Sequence, residues 1–381
     1  MKVVQWIFWA AAVAVFYAYA GYPLWLFLRR QWRACQVVWA PVTPFVSIIM
    51  AVRNEAALLP RKLENLAALD YPPERMEIIV VSDGSTDRTN EILIRFSRVR
   101  SILLGKSRGK ASALNHAIAL AQGEIVLFVD VRQRIGPSAL KFLAGNFADP
   151  DVGCVSGELT LTDDVASGKA RAVGLYWRIE KLVRKLESET GSVIGATGAL
   201  YAVRRELLPQ VPSGTLCDDL YIPLQVVRQR KRVVFESRAV AFDAIFSDWK
   251  REFRRKVRTL AGNYQLLQLS PWLVTSENPL RFELFSHKFL RLLVPFLLIV
   301  MLVASLVLHG WFYRSAFVLQ LCFYSLGLLA VLRPKRKLPR LASLSFTFTL
   351  LNAAAVVGLI KFMTGSKDVW AARPLQAEHI Q

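Results

Sequence analysis

From Val3 to Leu28 the chain runs without one charged side chain, and no other feature limits its folding options so strongly. As a helix rising about 1.5 Å per residue, this stretch exceeds the ~30 Å hydrocarbon core of a bilayer. Arg29, Arg30 and Arg33 follow it. A cleaved export signal has a shorter apolar core and a small-residue cleavage site, so the run is expected to persist as an anchor. Three more apolar stretches lie near 289–308, 315–332 and 341–360, each close to the ~20 residues a spanning helix needs. Charges, Gly and Pro fill the interval between. The expected organisation is therefore an anchor (1–33), a soluble domain (34–245), an amphipathic interfacial segment (246–287) and a C-terminal membrane region (288–381).

The positive flanks set an orientation. Arg29, Arg30 and Arg33 on one side, and Lys288 and Arg291 on the other, border the soluble centre, which is expected to face the cytoplasm. Arg333, Lys335, Arg336, Lys337 and Arg340 fall on the same side, with a short outer loop near His309 to Arg314. The last stretch then leads outward, yet Lys361, Lys367 and Arg373 follow it, and the charges do not decide whether it spans, re-enters or lies in the interface. With Lys+Arg 49 against Asp+Glu 29, the net charge is +20. Cytoplasmic flanks and anionic lipid account for such a surplus, and no nucleic-acid module accompanies it, so nucleic acid is not expected as a partner.

Cys35, Cys154, Cys217 and Cys322 are far apart and form no CxxC pair, which argues against a disulfide scaffold or a thiolate zinc site. The four histidines are equally scattered. Any metal must rest mostly on carboxylates.

In the centre, Phe45 to Val52, Met76 to Ser82 and Glu124 to Val129 are short apolar, β-branched runs, as expected of strands buried on both faces of a parallel sheet. Helical patterns lie between them, at Glu55 to Leu69, Thr86 to Phe96 and Lys110 to Ala121. This alternation predicts an α/β, Rossmann-like, mostly parallel sheet, with ligands at the carboxyl ends of the strands. Those ends are Ala51 to Glu55, Asp83 to Asp87 and Asp130 to Gln133. Taken alone, Ser82 to Asp87 reads as a capping turn, and Asp218-Asp219 equally as a helix cap. Gly105-Lys106-Ser107 and Gly109-Lys110-Ala111 imitate a phosphate loop, but the upstream glycine is missing: Arg100 and Leu104 stand there.

Together, AVRNE (51–55), VVSDGSTD (80–87), RGKASALNHAI (108–118), EIVLFVD (124–130), GATGALYAVRR (195–205) and CDDLYIP (217–223) resemble the family 2 glycosyltransferases over roughly residues 44–265, and the flanking helices resemble that family's membrane-bound bacterial polysaccharide synthases. The resemblance implies a GT-A fold, a UDP-sugar donor, inversion at the anomeric carbon, and a bacterial-type inner membrane. It points to Asp83 at the nucleotide base, Ala51 and Glu55 bordering the uridine, and Lys110 near the diphosphate. It also makes Asp219 the general base, with Asp218 orienting it or the acceptor. A sugar hydroxyl is a poor nucleophile, so a carboxylate must take its proton while cations stabilise the departing diphosphate.

Two departures from the family pattern matter. Asp-x-Asp after the third strand is here Asp130-Val131-Arg132. Arg132 is expected to neutralise diphosphate oxygens directly, and Asp130 to be the surviving ligand for Mg2+ or Mn2+, hard cations suited to carboxylate oxygen. The QxxRW block of processive members aligns with Arg255, Arg258 and Thr259; only Arg258 keeps its type. Losing the Trp removes a stacking surface, which favours transfer of one sugar or a few.

From Ser247 to Leu269 aromatic and aliphatic residues alternate with cations at helical spacing, the pattern of an interfacial helix suited to a lipid-linked acceptor. A second helix is expected over Ala170 to Glu189, without a catalytic role. The expected function is transfer of sugar to a lipid-linked or glycan acceptor in envelope or exopolysaccharide assembly, with other assembly proteins as partners. The alternative is a catalytically impaired member that binds nucleotide and scaffolds a synthase complex.

Overall fold

The computed structural model describes residues 1–162, 175–244, 249–332 and 340–365. The first residues of the expected 170–189 helix, Ser247, the basic cluster at 333–337, and Lys367 and Arg373 lie outside them.

The soluble domain is built on one eight-stranded sheet: β1 (Val46–Val52), β2 (Met76–Asp83), β3 (Val99–Leu104), β4 (Ile125–Val129), β5 (Arg134–Ile135), β6 (Val152–Thr162), β7 (Leu200–Arg204) and β8 (Arg232–Ala244). The spatial order is β3-β2-β1-β4-β7-β6-β8-β5. One half is parallel, with Ile48 opposite Ile78 on β2 and Leu127 on β4. β7 runs antiparallel to both β4 and β6, while β6 and β8 run parallel. The sheet is thus mixed.

Three of these strands are the apolar runs of the sequence, and their pleat explains the absence of polar alternation. Val46, Ile48, Met50 and Val52 of β1 face Leu59, Leu63 and Leu66 of helix Leu59–Ala67. Ile49, one pleat away, faces Leu114 and Ala117 of helix Lys110–Leu120. Each fully buried Leu or Ile contributes about 1.5–3 kcal/mol relative to exposure. β3 was not expected: at the sheet's edge it carries Arg100 and Ser101 among its apolar residues, as edge strands do.

β1 lies between β2 and β4, so the chain reverses its direction of progress across the sheet there. Such a switch opens a crevice beyond the carboxyl ends of the strands. It gathers 51–55, 83–87 and 130–133 at one edge of the sheet.

Among the described residues, four helices are long and apolar enough to cross a membrane: Lys2–Trp32, Arg281–Val307, Trp311–Leu329 and Leu341–Met363. The helix expected at the bilayer surface is Trp249–Leu269. It buries Val257, Ala261, Gly262, Asn263 and Leu266. A Cβ on Gly358 of the last apolar helix would lie 3.1 Å from Ala261 N and 3.2 Å from Val257 O, so glycine there lets the two helix backbones meet. The basic helix is therefore held between that helix and the soluble domain, rather than resting on lipid alone.

Candidate active site

Asp218 and Asp219 open helix Asp218–Arg228, where backbone N–H groups favour negative charge. Capping and chemistry do not compete here, because both carboxylates also face other groups. Lys110, at the start of its own helix, bridges Asp130 Oδ1 and Asp218 Oδ1, each 3.2 Å from Nζ. Tyr201 donates its hydroxyl to Asp218 Oδ2 at 3.4 Å. Asp218 is buried; Lys110 and Asp130 are well exposed to the crevice. Desolvation would lower the pKa of Lys110, but Asp130, Asp218 and Asp219 hold it above the ordinary ammonium range.

Asp219 is the most adapted of the group. Burial, then repulsion from Asp218, raise its pKa to about 6, against the opposing pull of Lys110 and Arg258. A carboxylate of this kind is mostly ionised at neutral pH yet basic enough to take a proton. Its surroundings are made by two glycines. A Cβ on Gly198 would stand 2.8 Å from Asp219 Oδ2, and one on Gly195 would strike Leu220. Ala196 N donates to Asp219 O at 2.8 Å. The 195–199 loop is thus fitted against Asp219.

The basic helix closes the other side. Gly262 lies where a Cβ would overlap Cys217 Sγ. Gln265 accepts from Leu216 N at 2.9 Å and donates to Gly214 O at 2.9 Å. This docking brings Arg258 within electrostatic reach of Lys110 and Asp219.

The structure therefore brings together Lys110, Asp130, Asp218, Asp219 and Arg258. Three other charged residues of these segments are engaged by protein groups. Asp83 is 4% exposed and accepts from Ser107 Oγ (2.7 Å), Arg108 N (2.7 Å) and Gly109 N (2.9 Å). Its carboxylate holds the basic loop on β2 and keeps about one of its four acceptor sites free of protein donors. Gly84 makes the crossing feasible: its φ is +64°, and a Cβ would lie 2.7 Å from Lys106 C. Arg132 donates to Asp243 Oδ2 at 2.6 Å, an acid 2% exposed at the end of β8. That pair compensates part of the guanidinium charge. Arg255 forms a bidentate pair with Glu252 of the same helix (2.9 and 2.8 Å).

Ala51 and Glu55 lie at the carboxyl end of β1. Burial raises the pKa of Glu55 to about 7; Arg132 opposes this, while Asp87 and Asp130 add to it. Asn54, at φ +55°, accepts from Thr86 N at 2.7 Å and ties this strand end to the turn after β2. Asp243 and Tyr201 were missed, and no local signal marks them, because their relevance comes from strand pairing. Gly198 was visible inside GATGA, but its role was not. A cavity of about 430 Å³ lined by Leu104, Gly105, Lys106, Arg108 and His116 lies against the basic loop and includes none of the acids.

The donor set for a metal is small. No group of three His, Cys, Asp or Glu side chains suited to a metal ion occurs among the described residues. Asp130 is half-exposed and single, which fits a Mg2+- or Mn2+-type ion that takes one carboxylate and completes its shell with substrate phosphates and water.

Glycosyl transferase family 2 matches residues 47–211. The beta-monoglucosyldiacylglycerol synthase of Synechocystis sp. is 26% identical over 294 residues, covering 74% of this chain and 61% of that protein. The poly-beta-1,6-N-acetyl-D-glucosamine synthase of Staphylococcus epidermidis is 24% identical over 235 residues, covering 60% of this chain and 56% of that protein. The matches thus span about three fifths of these relatives' lengths. In fold, the chain is similar to the mannosyltransferase PcManGT from Pyrobaculum calidifontis, solved with GDP-Man and Mn2+: TM-score 0.73, 23% identity, 94% of this chain and 99% of that one.

Proposed function

Because residues 47–211 are a family 2 glycosyltransferase domain on a GT-A fold, we propose that the chain transfers a sugar from a UDP-sugar, with inversion, to a lipid-linked or glycan acceptor at a membrane. One observation carries this reading: Lys110 joins Asp130 to Asp218 at 3.2 Å each, beside an Asp219 tuned to about 6. A cation for the leaving group and a base for the nucleophile stand together at the strand ends.

In the reaction, the acceptor hydroxyl attacks the anomeric carbon as the bond from that carbon to the diphosphate oxygen breaks. Its proton passes to the carboxylate of Asp219. The electron pair leaves with the diphosphate, whose charge Lys110 and Arg258 offset. One displacement gives inversion. Mg2+ or Mn2+ held by Asp130 would add further neutralisation of the diphosphate.

The acceptor assignment rests on the apolar helices and on the names of the relatives, a glycolipid synthase and a polysaccharide synthase. The positive flanks support a multi-pass protein of a bacterial-type inner membrane with its soluble domain in the cytoplasm, working beside other envelope-assembly proteins. A second reading, a nucleotide-binding scaffold, is favoured by one point: Arg132 and Arg255 are both paired internally. Sugar transfer from a panel of UDP-sugars to membrane lipid extract, followed by mass spectrometry and repeated with Asp219→Asn, separates the two. Product that depends on Asp219 supports the enzyme; UDP binding without product supports the scaffold.

A further inference from the structure

Arg184 lies on helix Leu175–Thr190, outside the residues assigned to catalysis above. Its guanidinium donates from Nη1 to Thr197 Oγ1 at 2.6 Å, and from Nη2 to Ser156 Oγ at 2.7 Å and Gly195 O at 3.2 Å. Its Cζ lies 5.0 Å from the centre of the Phe235 ring. Among the described residues, no carboxylate forms an ion pair with it. Its direct partners are thus neutral acceptors, and Glu180, Glu187, Asp219 and Glu158 offset part of its desolvation from beyond ion-pair distance.

The loop it holds is the one fitted against Asp219. Thr197 is tied again by its N–H to Ser156 Oγ (2.8 Å) and by its hydroxyl to Gly157 O (2.8 Å). The same five residues supply the Ala196 N–H bonded to Asp219 O and the bare Cα of Gly198 beside Asp219 Oδ2. On the same face of the helix, about one turn to either side of Arg184, Glu180 and Glu187 are fastened to the membrane helices. His287 lies between Glu187 (2.7 Å) and Glu180 (2.9 Å), Tyr22 donates to Glu187 at 2.7 Å, and Arg291 donates to Glu180 at 2.6 Å.

We propose that Arg184 is a positioning residue for the base: its planar fork clamps the 195–199 loop to the middle of β6 and so sets where the Asp219 carboxylate stands, with the membrane helices as the fixed support. This rests on the reading of Asp219 as general base. Lysine keeps the charge but not the fork, so a charge role and a positioning role give different results.

The test uses the full-length protein in detergent or nanodiscs, comparing Arg184→Lys, Arg184→Ala and Thr197→Val with wild type and Asp219→Asn. Sugar transfer is measured for kcat and donor KM, and thermal unfolding and UDP affinity for integrity. The expected result is a kcat reduced about 10- to 100-fold in both Arg184 variants, about 1.4–2.7 kcal/mol. Donor KM and UDP affinity stay within twofold, and added guanidinium partly restores Arg184→Ala. Thr197→Val reproduces the kcat loss and adds little to Arg184→Ala. If Arg184→Lys matches wild type, or guanidinium does not restore Arg184→Ala, the positioning role is wrong. Should Arg184→Ala fail to fold, Arg184→Lys and Thr197→Val decide. If Asp219→Asn is itself active, the reading of the base has failed; if it is inactive while folded Arg184→Lys and Thr197→Val match wild type, only this inference has.

Discussion

Replacing Asp219 by Asn removes the proton acceptor while keeping the side chain's size beside Gly198. Because burial and Asp218 raise the pKa of Asp219 to about 6, roughly nine-tenths of the wild-type protein carries the basic form at pH 7. Removing a general base typically lowers the rate about 100- to 10,000-fold, about 3–5 kcal/mol in the barrier. UDP release and product formation at saturating donor, followed from pH 5 to 8, are the assay. Wild-type kcat should climb tenfold per pH unit below about 6 and level off above it, because the protonated acid is inactive. Lys110 lowers the pKa of Asp219 by attraction; Lys110→Met should therefore move the midpoint of the profile upward as well as weakening donor binding. An Asp219→Asn variant that keeps more than about a tenth of wild-type kcat at pH 7.5 would refute the assignment.

Further outcomes follow from the same geometry. Gly198→Ala places a methyl group 2.8 Å from Asp219 Oδ2 and should reduce kcat about tenfold or more with a near-normal melting temperature. Gly84→Ala, at φ +64° and under the 106–107 backbone, should destabilise the fold by about 1–3 kcal/mol in chemical denaturation. Burial alone lowers the pKa of Lys62 to about 7, with partial relief from Asp130. Between pH 7 and 10 the unfolded chain then binds more protons, so stability should rise with pH, and Lys62→Met should flatten that rise in denaturation curves. Chelation by EDTA should lower transfer by wild type but have no further effect on Asp130→Asn; an equal loss in both would place the metal elsewhere.

Apolar content is a property of a stretch of chain, and for that reason β1, β2 and β4 and the four long apolar helices were legible. β6, β7 and β8 were not, since they carry charged and polar residues such as Glu158, Arg204 and Asp243 that only their neighbours make tolerable. The acids of the site were legible through six short blocks in order, not through any one of them. Asp-x-Arg was visible as a departure, but the pairing of Arg132 with Asp243 was not.

What the residues alone determined is which stretches are long and apolar enough to cross a membrane, where the apolar strands run, and which carboxylates and cations end up at the strand ends. What only the tertiary structure decided is which charges remain available. Asp83 holds a loop, Arg132 pairs with Asp243 across 111 positions of sequence, Arg255 pairs within its own helix, and Lys110 joins Asp130 to Asp218 beside Asp219. The physical reason is range. Burial of apolar surface accumulates along a segment whatever its final neighbours, whereas a charge is spent or kept by the partner within about 4 Å, and the sheet order chooses that partner.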